Sequence, residues 1–140
     1  MKLAISSTGE GLESQVDARF GRCPKYVIVE IEGKEFKSGK SIDNPAMMQG
    51  GGAGIAAAQM VANEKVDAVI TGNIGPNAFG VLNQLNIDVY QATGLIKDVV
   101  QQFIDGKLTK VNAPTGPTFM GRPGAGGGAG KGMGARRRQQ

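Results

Sequence analysis

The sequence predicts one α/β domain with a mixed five-stranded sheet and helices on both faces of that sheet. From residue 50 onward, segments of helical period alternate with short apolar segments rich in β-branched residues. A hairpin pattern precedes them, and 140 residues suit one domain with its own core. The predicted order is β-β-β-α-β-α-β-α, in which strands joined through helices pair in parallel and hairpin strands pair antiparallel.

Three strands are predicted in the first third of the chain. Lys2–Ser7 is a short apolar run, and residues 26–31 are β-branched and aromatic, as is typical of buried strands. Residues 32–34 have hairpin-turn composition, and residues 35–39 carry the charged side chains expected of an edge strand. Residues 8–24 form a connection longer than a purely structural loop needs, which predicts a functional or mobile segment.

Three helices are predicted after residue 50, and strands at residues 68–70 and 87–90 separate them. The first covers about residues 51–64, the second begins at Pro76, and the third ends at the predicted C-terminal cap Gly106. Each has apolar residues three or four positions apart, which form one buried stripe. The stripes are Ile55, Ala58 and Ala62; Ala78, Val81, Leu82 and Leu85; and Ile96, Val99, Val100 and Phe103.

Composition excludes several classes of protein. One Cys and no His leave no intramolecular disulfide, no usual Cys/His zinc site and no histidine-based catalysis. One thiolate also cannot hold a conventional four-cysteine iron–sulfur cluster. No apolar run approaches the roughly 20 residues that span a bilayer, and the first residues lack the apolar core of a secretory signal. We therefore expect a soluble cytoplasmic protein with no membrane partner.

The net charge of +4 comes from the C-terminal end of the chain. Residues 121–140 hold five basic residues, eight glycines and no acidic residue, whereas residues 1–120 carry 11 basic and 12 acidic residues. Such a composition cannot bury enough apolar surface to offset chain entropy. We expect a folded domain over residues 1–112 and a flexible Gly/Arg-rich tail over residues 113–140. The arginines of this tail suggest nucleic-acid binding, but a solubilising extension is favoured.

Cys23 lies in a cationic segment, Arg19-Phe20-Gly21-Arg22-Cys23-Pro24-Lys25. Three cations within four residues of the sulfur favour the thiolate, which would bind a soft metal. The alternative is a lone thiol that packs in the core, and the spacing alone favours that alternative. Met47 and Met48 are thioether candidates for copper(I), although core packing is favoured for them as well.

Glycine-rich loops precede the predicted helices. Residues 50–54 lead into the first helix and offer backbone N–H groups to an anion; a hinge or a tight helix–sheet contact is equally favoured. No strand directly precedes the pattern Gly52-x-Gly54-x-x-Ala57, so we do not expect NAD binding. Residues 71–77 and 92–94 follow parallel strands, whose carboxyl ends converge on the edge where α/β sheets bind ligands.

The same loops contain no catalytic set. No nucleophile lies in a pattern that would pair it with a base, and for the scattered carboxylates Glu10, Glu13 and Asp17 a solvated face is favoured as much as a chemical role. We therefore expect no catalytic residue.

Three linked blocks of sequence carry a resemblance to a known family. They are Arg19-Phe20-Gly21-Arg22-Cys23-Pro24, Asn44-Pro45 followed by residues 51–59, and residues 66–79. In order over about residues 1–112, they resemble the dinitrogenase iron-molybdenum cofactor biosynthesis family, the NifX-like domains. This resemblance implies a ribonuclease-H-like fold. Its best understood members bind or carry iron-molybdenum cofactor or its iron–sulfur precursor, and a related single-domain branch holds a molybdenum–copper sulfide cluster.

The resemblance implies a non-enzymatic binding or carrier protein for such a cluster, a molybdenum-, iron- or copper-sulfur anion. Cofactor-assembly or acceptor proteins would be its partners. Nitrogen-fixation members commonly carry His where this chain has Arg19 and residues 47–49, so imidazole ligation is not available, and the chain is more similar to small stand-alone members. The alternative is a regulatory or protein-partner-binding module on the same scaffold without metal.

Bulky sulfur-rich anions suit backbone N–H groups and arginines, which bind them by charge-assisted hydrogen bonds. The residues expected to bind the cofactor are Arg19, Arg22, Cys23, Gly51, Gly52, Gly54, Thr71, Gly72, Asn73, Gly75, Thr93 and Gly94. The candidates for direct metal ligation are Cys23, Met47 and Met48.

Overall fold

The computed structural model of the chain describes residues 1–48 and 52–115, which form a mixed α/β fold on one sheet. None of the helices in these two ranges is long and apolar enough to cross a membrane. The helices are α1 (Ala53–Asn63), α2 (Pro76–Gln84) and α3 (Ile96–Ile104), with a short 3-10 helix at Pro45–Met48. The strands are β1 (Lys2–Ser7), β2 (Lys25–Glu32), β3 (Glu35–Asp43), β4 (Ala68–Thr71), β5 (Asp88–Gln91) and β6 (Thr109–Lys110).

The sheet has six strands in the order β3-β2-β1-β4-β5-β6. Strands β1, β4 and β5 are mutually parallel, while β2, β3 and β6 run antiparallel to their neighbours. The prediction of five strands is therefore wrong by one. The missed strand, Thr109–Lys110, has two exposed polar residues, and so short a segment has no hydrophobic period that a sequence could reveal.

Strand β3 is also longer than predicted. It pairs with β2 from Glu35 to Asp43, across an irregularity opposite Glu30 and Ile31. Most of its residues are exposed, because this strand lies at the edge of the sheet. Its polar composition hid its length but fits an edge strand, where charged side chains discourage pairing with another chain.

Two apolar clusters show that helices cover both faces of the sheet. Strand residues alternate between the faces, so Ala4 of β1 packs on one side and Leu3 and Ile5 on the other. The first cluster joins the sheet to α1 and α2, where Ala57 and Ala58 allow close packing, and the second joins it to α3. The fully buried members of the second cluster that come from α3 are Ile96 and Val99.

Candidate functional site

Residues 8–24, which we call the crossing segment, run over the carboxyl ends of the three parallel strands. The Asp17 N–H donates to the Ser6 carbonyl at the end of β1 (2.9 Å), and the Gly72 N–H just after β4 donates to the Asp17 carbonyl (3.4 Å). The Val16 N–H donates to the Gly94 carbonyl after β5 (2.8 Å). The connection that its length marked as functional or mobile is thus fixed to the ends of all three strands.

Gly72 is a glycine because the crossing segment touches its backbone. A Cβ placed on Gly72 would lie 2.6 Å from the Cα of Ala18, closer than any real side chain allows. Beneath this contact, the Ser6 hydroxyl lies 2.7 Å from the Asp17 carbonyl and 2.8 Å from the Thr71 hydroxyl. Thr71 is buried, so its side chain supports the crossing segment from below.

Asp17 holds Arg19 in a fixed position at the surface. Its carboxylate accepts hydrogen bonds from Arg19 N–H (2.8 Å), Nε–H (3.0 Å) and Nη2–H (3.0 Å). Burial raises the pKa of Asp17, but the hydrogen bonds and charge of Arg19 outweigh it and hold that pKa below its usual value. The interpretation of Asp17 as part of a solvated face is wrong, since Asp17 is 5% exposed while the Arg19 side chain is 63% exposed.

The arginine-bearing part of the crossing segment packs against the first turn of α1. A Cβ on Gly21 would lie 2.8 Å from both Cα and N of Gly54, so two glycines meet backbone to backbone. Gly54 in turn faces Ala78 in the first turn of α2, and a Cβ on it would lie 3.3 Å from the Ala78 Cβ. Arg19 also bridges to Asn73 in the turn after β4. These contacts define the rim: Arg19, Gly21, Gly54, Asn73 and Ala78.

Two helix N-termini lie at this rim. Gly52 caps α1 in a left-handed conformation (φ 72°) that favours glycine, and Gly75 precedes Pro76 at the start of α2. Among the described residues, the N–H groups of Gly54 and Ala78 have no hydrogen-bond acceptor. Such first-turn amides form the positive end of a helix dipole, which binds anions.

The N-terminus of α3 is filled from within the protein. The Ile96 N–H donates to the Ser14 carbonyl (2.9 Å), and the Lys97 N–H donates to the Leu12 carbonyl (3.0 Å). Thr93 and Gly94 therefore lie beside the crossing segment at a helix start whose first two amides already have acceptors. The structure groups these two predicted residues with α3, apart from the rim.

Cys23 is completely buried in the core, as the favoured alternative of a packed thiol predicts, and the thiolate hypothesis is wrong. Its thiol donates to the Phe20 carbonyl (3.4 Å). Burial raises the pKa of the thiol to about 11, although hydrogen bonds from Tyr26, Ser7 and Asn44 act in the opposite direction. The nearby cations in sequence fail to stabilise a thiolate because desolvation dominates, and Asp17 pairs with Arg19 and raises the Cys23 pKa further.

Asn44 connects the crossing segment to the chain that leads into α1. Its side-chain amide donates to the carbonyls of Cys23 (2.8 Å) and Gly21 (3.1 Å), and its Oδ1 accepts from the Ala46 N–H (3.2 Å). The Tyr26 hydroxyl adds a hydrogen bond to the Phe20 carbonyl. This linking role of Asn44 was not predicted, although an Asn before Pro is itself a signal for such local backbone hydrogen bonds.

Several predicted residues contribute in other ways or fall outside the described ranges. Arg22 is exposed beside the rim. Gly51 and the side chains of Met47 and Met48 lie outside the described part of the chain. Within residues 1–48 and 52–115, no group of three or more His, Cys, Asp or Glu side chains is placed to hold a metal ion.

The chain matches a known protein family over most of its length. A family model described as dinitrogenase iron-molybdenum cofactor matches residues 1–106. MJ0580, an uncharacterized protein of Methanocaldococcus jannaschii, is 44% identical to this chain over 98 residues, which make up 69% of this chain and 83% of that protein.

Two solved structures show the same fold at recognisable sequence identity. The apo form of the orange protein from Desulfovibrio gigas is 34% identical, with a TM-score of 0.77 over 82% of this chain and 96% of that one. TM1290 from Thermotoga, solved by NMR, is 27% identical, with a TM-score of 0.69 over 88% of this chain and 98% of that one.

Proposed function

Because this chain belongs to the dinitrogenase iron-molybdenum cofactor family, we propose that it is a non-enzymatic binding or carrier protein for a metal–sulfur cluster or an iron-molybdenum-type cofactor precursor. The cargo is a bulky sulfur-rich anion of molybdenum, iron or copper. Cofactor-assembly or acceptor proteins would deliver or receive it. The similar structure of the orange protein is that of its apo form, which means the protein without the group that it binds.

One observation carries the proposal: the arginine-bearing segment and two helix N-termini meet at the rim. Gly21 touches Gly54, and Gly54 faces Ala78, so the start of α1 lies between Arg19's segment and the start of α2. A guanidinium and main-chain amides on one side of the molecule suit an anion that is too large for ordinary side-chain coordination.

The chemistry of the rim favours hydrogen bonds to the sulfur atoms of the cargo over bonds from protein to metal. Guanidinium and amide N–H groups donate to anionic acceptors and need no ligand exchange at the metal. Cys23 does not take part as a ligand in this proposal, since its thiol is buried and protonated at neutral pH. Met47 and Met48 remain proposed thioether contacts to copper.

The proposal is tested by anaerobic reconstitution with tetrathiomolybdate, alone and with copper(I). After gel filtration, molybdenum analysis should give a stoichiometric amount of retained metal, with charge-transfer absorbance in the visible. Arg19→Ala should weaken retention about tenfold, because a charge-assisted hydrogen bond contributes roughly 1.5–3 kcal/mol. Colourless wild-type protein without retained metal would overturn the proposal.

A groove beside the edge strand favours a second candidate function, a regulatory or partner-binding module. The groove has a volume of about 670 Å³ and lies between Leu12 of the crossing segment and Phe36 of β3, whose side chain is 41% exposed. The two functions separate by mutation. Phe36→Ser should leave cargo retention intact and weaken only partner binding, whereas Arg19→Ala should do the reverse.

The domain boundary forms part of the same proposal. We propose a cofactor-binding domain over residues 1–112 and a tail over residues 113–140, most of which lies outside the described residues. Thr115 is still held to the domain: its N–H donates to the Ile74 carbonyl and its hydroxyl accepts from the Ile74 N–H, both at 3.0 Å. The tail therefore begins beside the turn between β4 and α2.

A further inference from the structure

We propose that Asp17 is a positioning residue that orients the Arg19 guanidinium for an anion at the rim. This inference rests on the proposed function, because the anion is the proposed cargo. It adds a residue that the family resemblance does not assign and that the sequence pattern placed on a solvated face.

Asp17 occupies one edge of the Arg19 guanidinium. Arginine has five N–H donors in a planar fork, and Asp17 accepts from Nε–H and from one N–H on Nη2. Among the described residues, no other hydrogen bond from the Arg19 side chain is present. Within residues 1–48 and 52–115, the two N–H groups of Nη1 and the second N–H of Nη2 therefore form a donor edge without an acceptor, which we propose an anion binds.

Asp17 is itself held by the strands beneath it. Its N–H donates to the Ser6 carbonyl (2.9 Å), its carbonyl lies 2.7 Å from the Ser6 hydroxyl, and Gly72 donates to the same carbonyl (3.4 Å). Its side chain is nearly fully buried. Strands β1 and β4 thus fix Asp17, and Asp17 fixes the exposed side chain of Arg19. Arg19 therefore loses less conformational entropy when an anion binds.

Charge and position predict opposite effects when the Asp17 carboxylate is removed. Loss of one negative charge makes the rim more positive, and on charge alone this tightens the binding of an anion. An amide in place of the carboxylate keeps at most one of the two acceptors and loses the ion pair, so Arg19 gains access to more rotamers, which weakens binding. The sign of the change therefore distinguishes a positioning residue from a charge near the site.

The experiment compares Asp17→Asn with Glu13→Gln in the full chain, using tetrathiomolybdate as the probe. Both substitutions remove one negative charge from the crossing segment. Glu13 pairs with Lys97 (3.4 Å) and is 79% exposed, away from Arg19, so it is the matched control. We expect Asp17→Asn to raise the Kd of the probe about tenfold and Glu13→Gln to leave it unchanged or slightly lower. An unchanged or lower Kd for Asp17→Asn would overturn the inference.

A double-mutant cycle with Arg19→Gln tests whether Asp17 acts through Arg19. In the Arg19→Gln background, Asp17→Asn should cause no further rise in Kd, because the group that it orients is gone. A tenfold rise that persists in this background would show that Asp17 acts on the anion by another route, and the inference would be wrong.

A measurement without cargo keeps the inference separate from the proposed function. In the nitrogen-15 NMR spectrum of the free protein, the Arg19 Nε–H signal should be protected from exchange, and it should exchange faster in Asp17→Asn, where a neutral amide replaces the carboxylate. If Asp17→Asn fails to fold, Arg19→Lys keeps Asp17 and the positive charge but removes the planar guanidinium that Asp17 orients. The expected rise in Kd is again about tenfold. An unprotected Arg19 signal in the wild type overturns the positioning role, whereas wild-type protein that binds no probe overturns only the proposed function.

Discussion

The N-terminus of α3 and those of α1 and α2 lie at the same edge of the sheet but differ in what meets their first-turn amides. At α3, carbonyls of Leu12 and Ser14 accept from the first amides of the helix. At α1 and α2, the crossing segment approaches through Gly21 and leaves the amides of Gly54 and Ala78 without an acceptor among the described residues. Glycine-rich helix starts that look equivalent in a sequence can thus be structural at one strand end and suited to a ligand at another.

The largest expected effect comes from pushing the crossing segment away from β4. Gly72→Ala places a Cβ 2.6 Å from the backbone of Ala18 and should lower the free energy of unfolding by about 3 kcal/mol, since neither backbone can yield cheaply. Gly80→Ala in α2 is the matched control, because its Cβ would meet nothing within 4 Å and Ala favours a helix more than Gly does, so stability should not fall. Urea unfolding of both variants measures the contrast, and equal midpoints would contradict it.

The burial of Cys23 next to the rim can be tested by alkylation. With a thiol pKa raised to about 11 from the usual 9.0, the native protein should hold about 100-fold less thiolate at neutral pH than the unfolded chain. Iodoacetamide labelling should be slower by at least this factor and should quicken about tenfold per pH unit up to about pH 11. Rapid labelling of folded protein at pH 7 would show that the crossing segment opens on this side.

Asn44 is expected to hold the crossing segment against the chain that leads into α1. Asn44→Ala leaves the buried carbonyl of Cys23 without its donor and should cost about 2 kcal/mol of stability, together with weaker retention of tetrathiomolybdate. Asn83→Ala, on the exposed face of α2, is the control and should change stability by less than ~0.5 kcal/mol. Calorimetric melting of the two variants gives the comparison, and a similar melting temperature for both would argue against a linking role for Asn44.

The smallest effect is expected at the start of α3. The Ser14 hydroxyl donates to the Glu10 carbonyl (2.8 Å), a contact that lies within the crossing segment next to α3. Ser14→Ala should cost about 0.5–1 kcal/mol and leave cargo retention unchanged, because the main-chain acceptors of α3 remain. If this variant loses cargo while it stays folded, the division between a structural start of α3 and binding starts of α1 and α2 is wrong.

Much of the fold could be predicted because periodicity reports burial. The strand at Lys2–Ser7 and α3 have patterns that predict both their type and the face that they bury. The type of α1 and α2 was predicted as well, but their predicted buried stripes were partly wrong, since Ile55 of α1 and Leu85 next to α2 are exposed. The convergence of strand ends followed from parallel pairing. Strand β6 could not be predicted, because two polar residues carry no pattern.

The candidate site was less predictable, because its contacts depend on distance through space and on the main chain. Cys23 has cations beside it in sequence, yet its surroundings in the fold are apolar and raise its pKa. Asp17 resembles its neighbours Glu10 and Glu13 in sequence, but only Asp17 points inward. At the start of α3 the acceptors are main-chain carbonyls, which every residue has. A sequence therefore cannot show that the first amides of this helix already have acceptors.

The position of Thr115 has a practical consequence for reporters and surface immobilisation. Thr115 lies against Ile74, one residue before the cap of α2, so a tag placed directly after it would stand beside the binding edge. Met1 lies at the start of β1, at the opposite edge, where its amino group donates to the Ile31 carbonyl. Fluorophores or affinity handles attached at the amino terminus would leave the approach of an inorganic guest unobstructed.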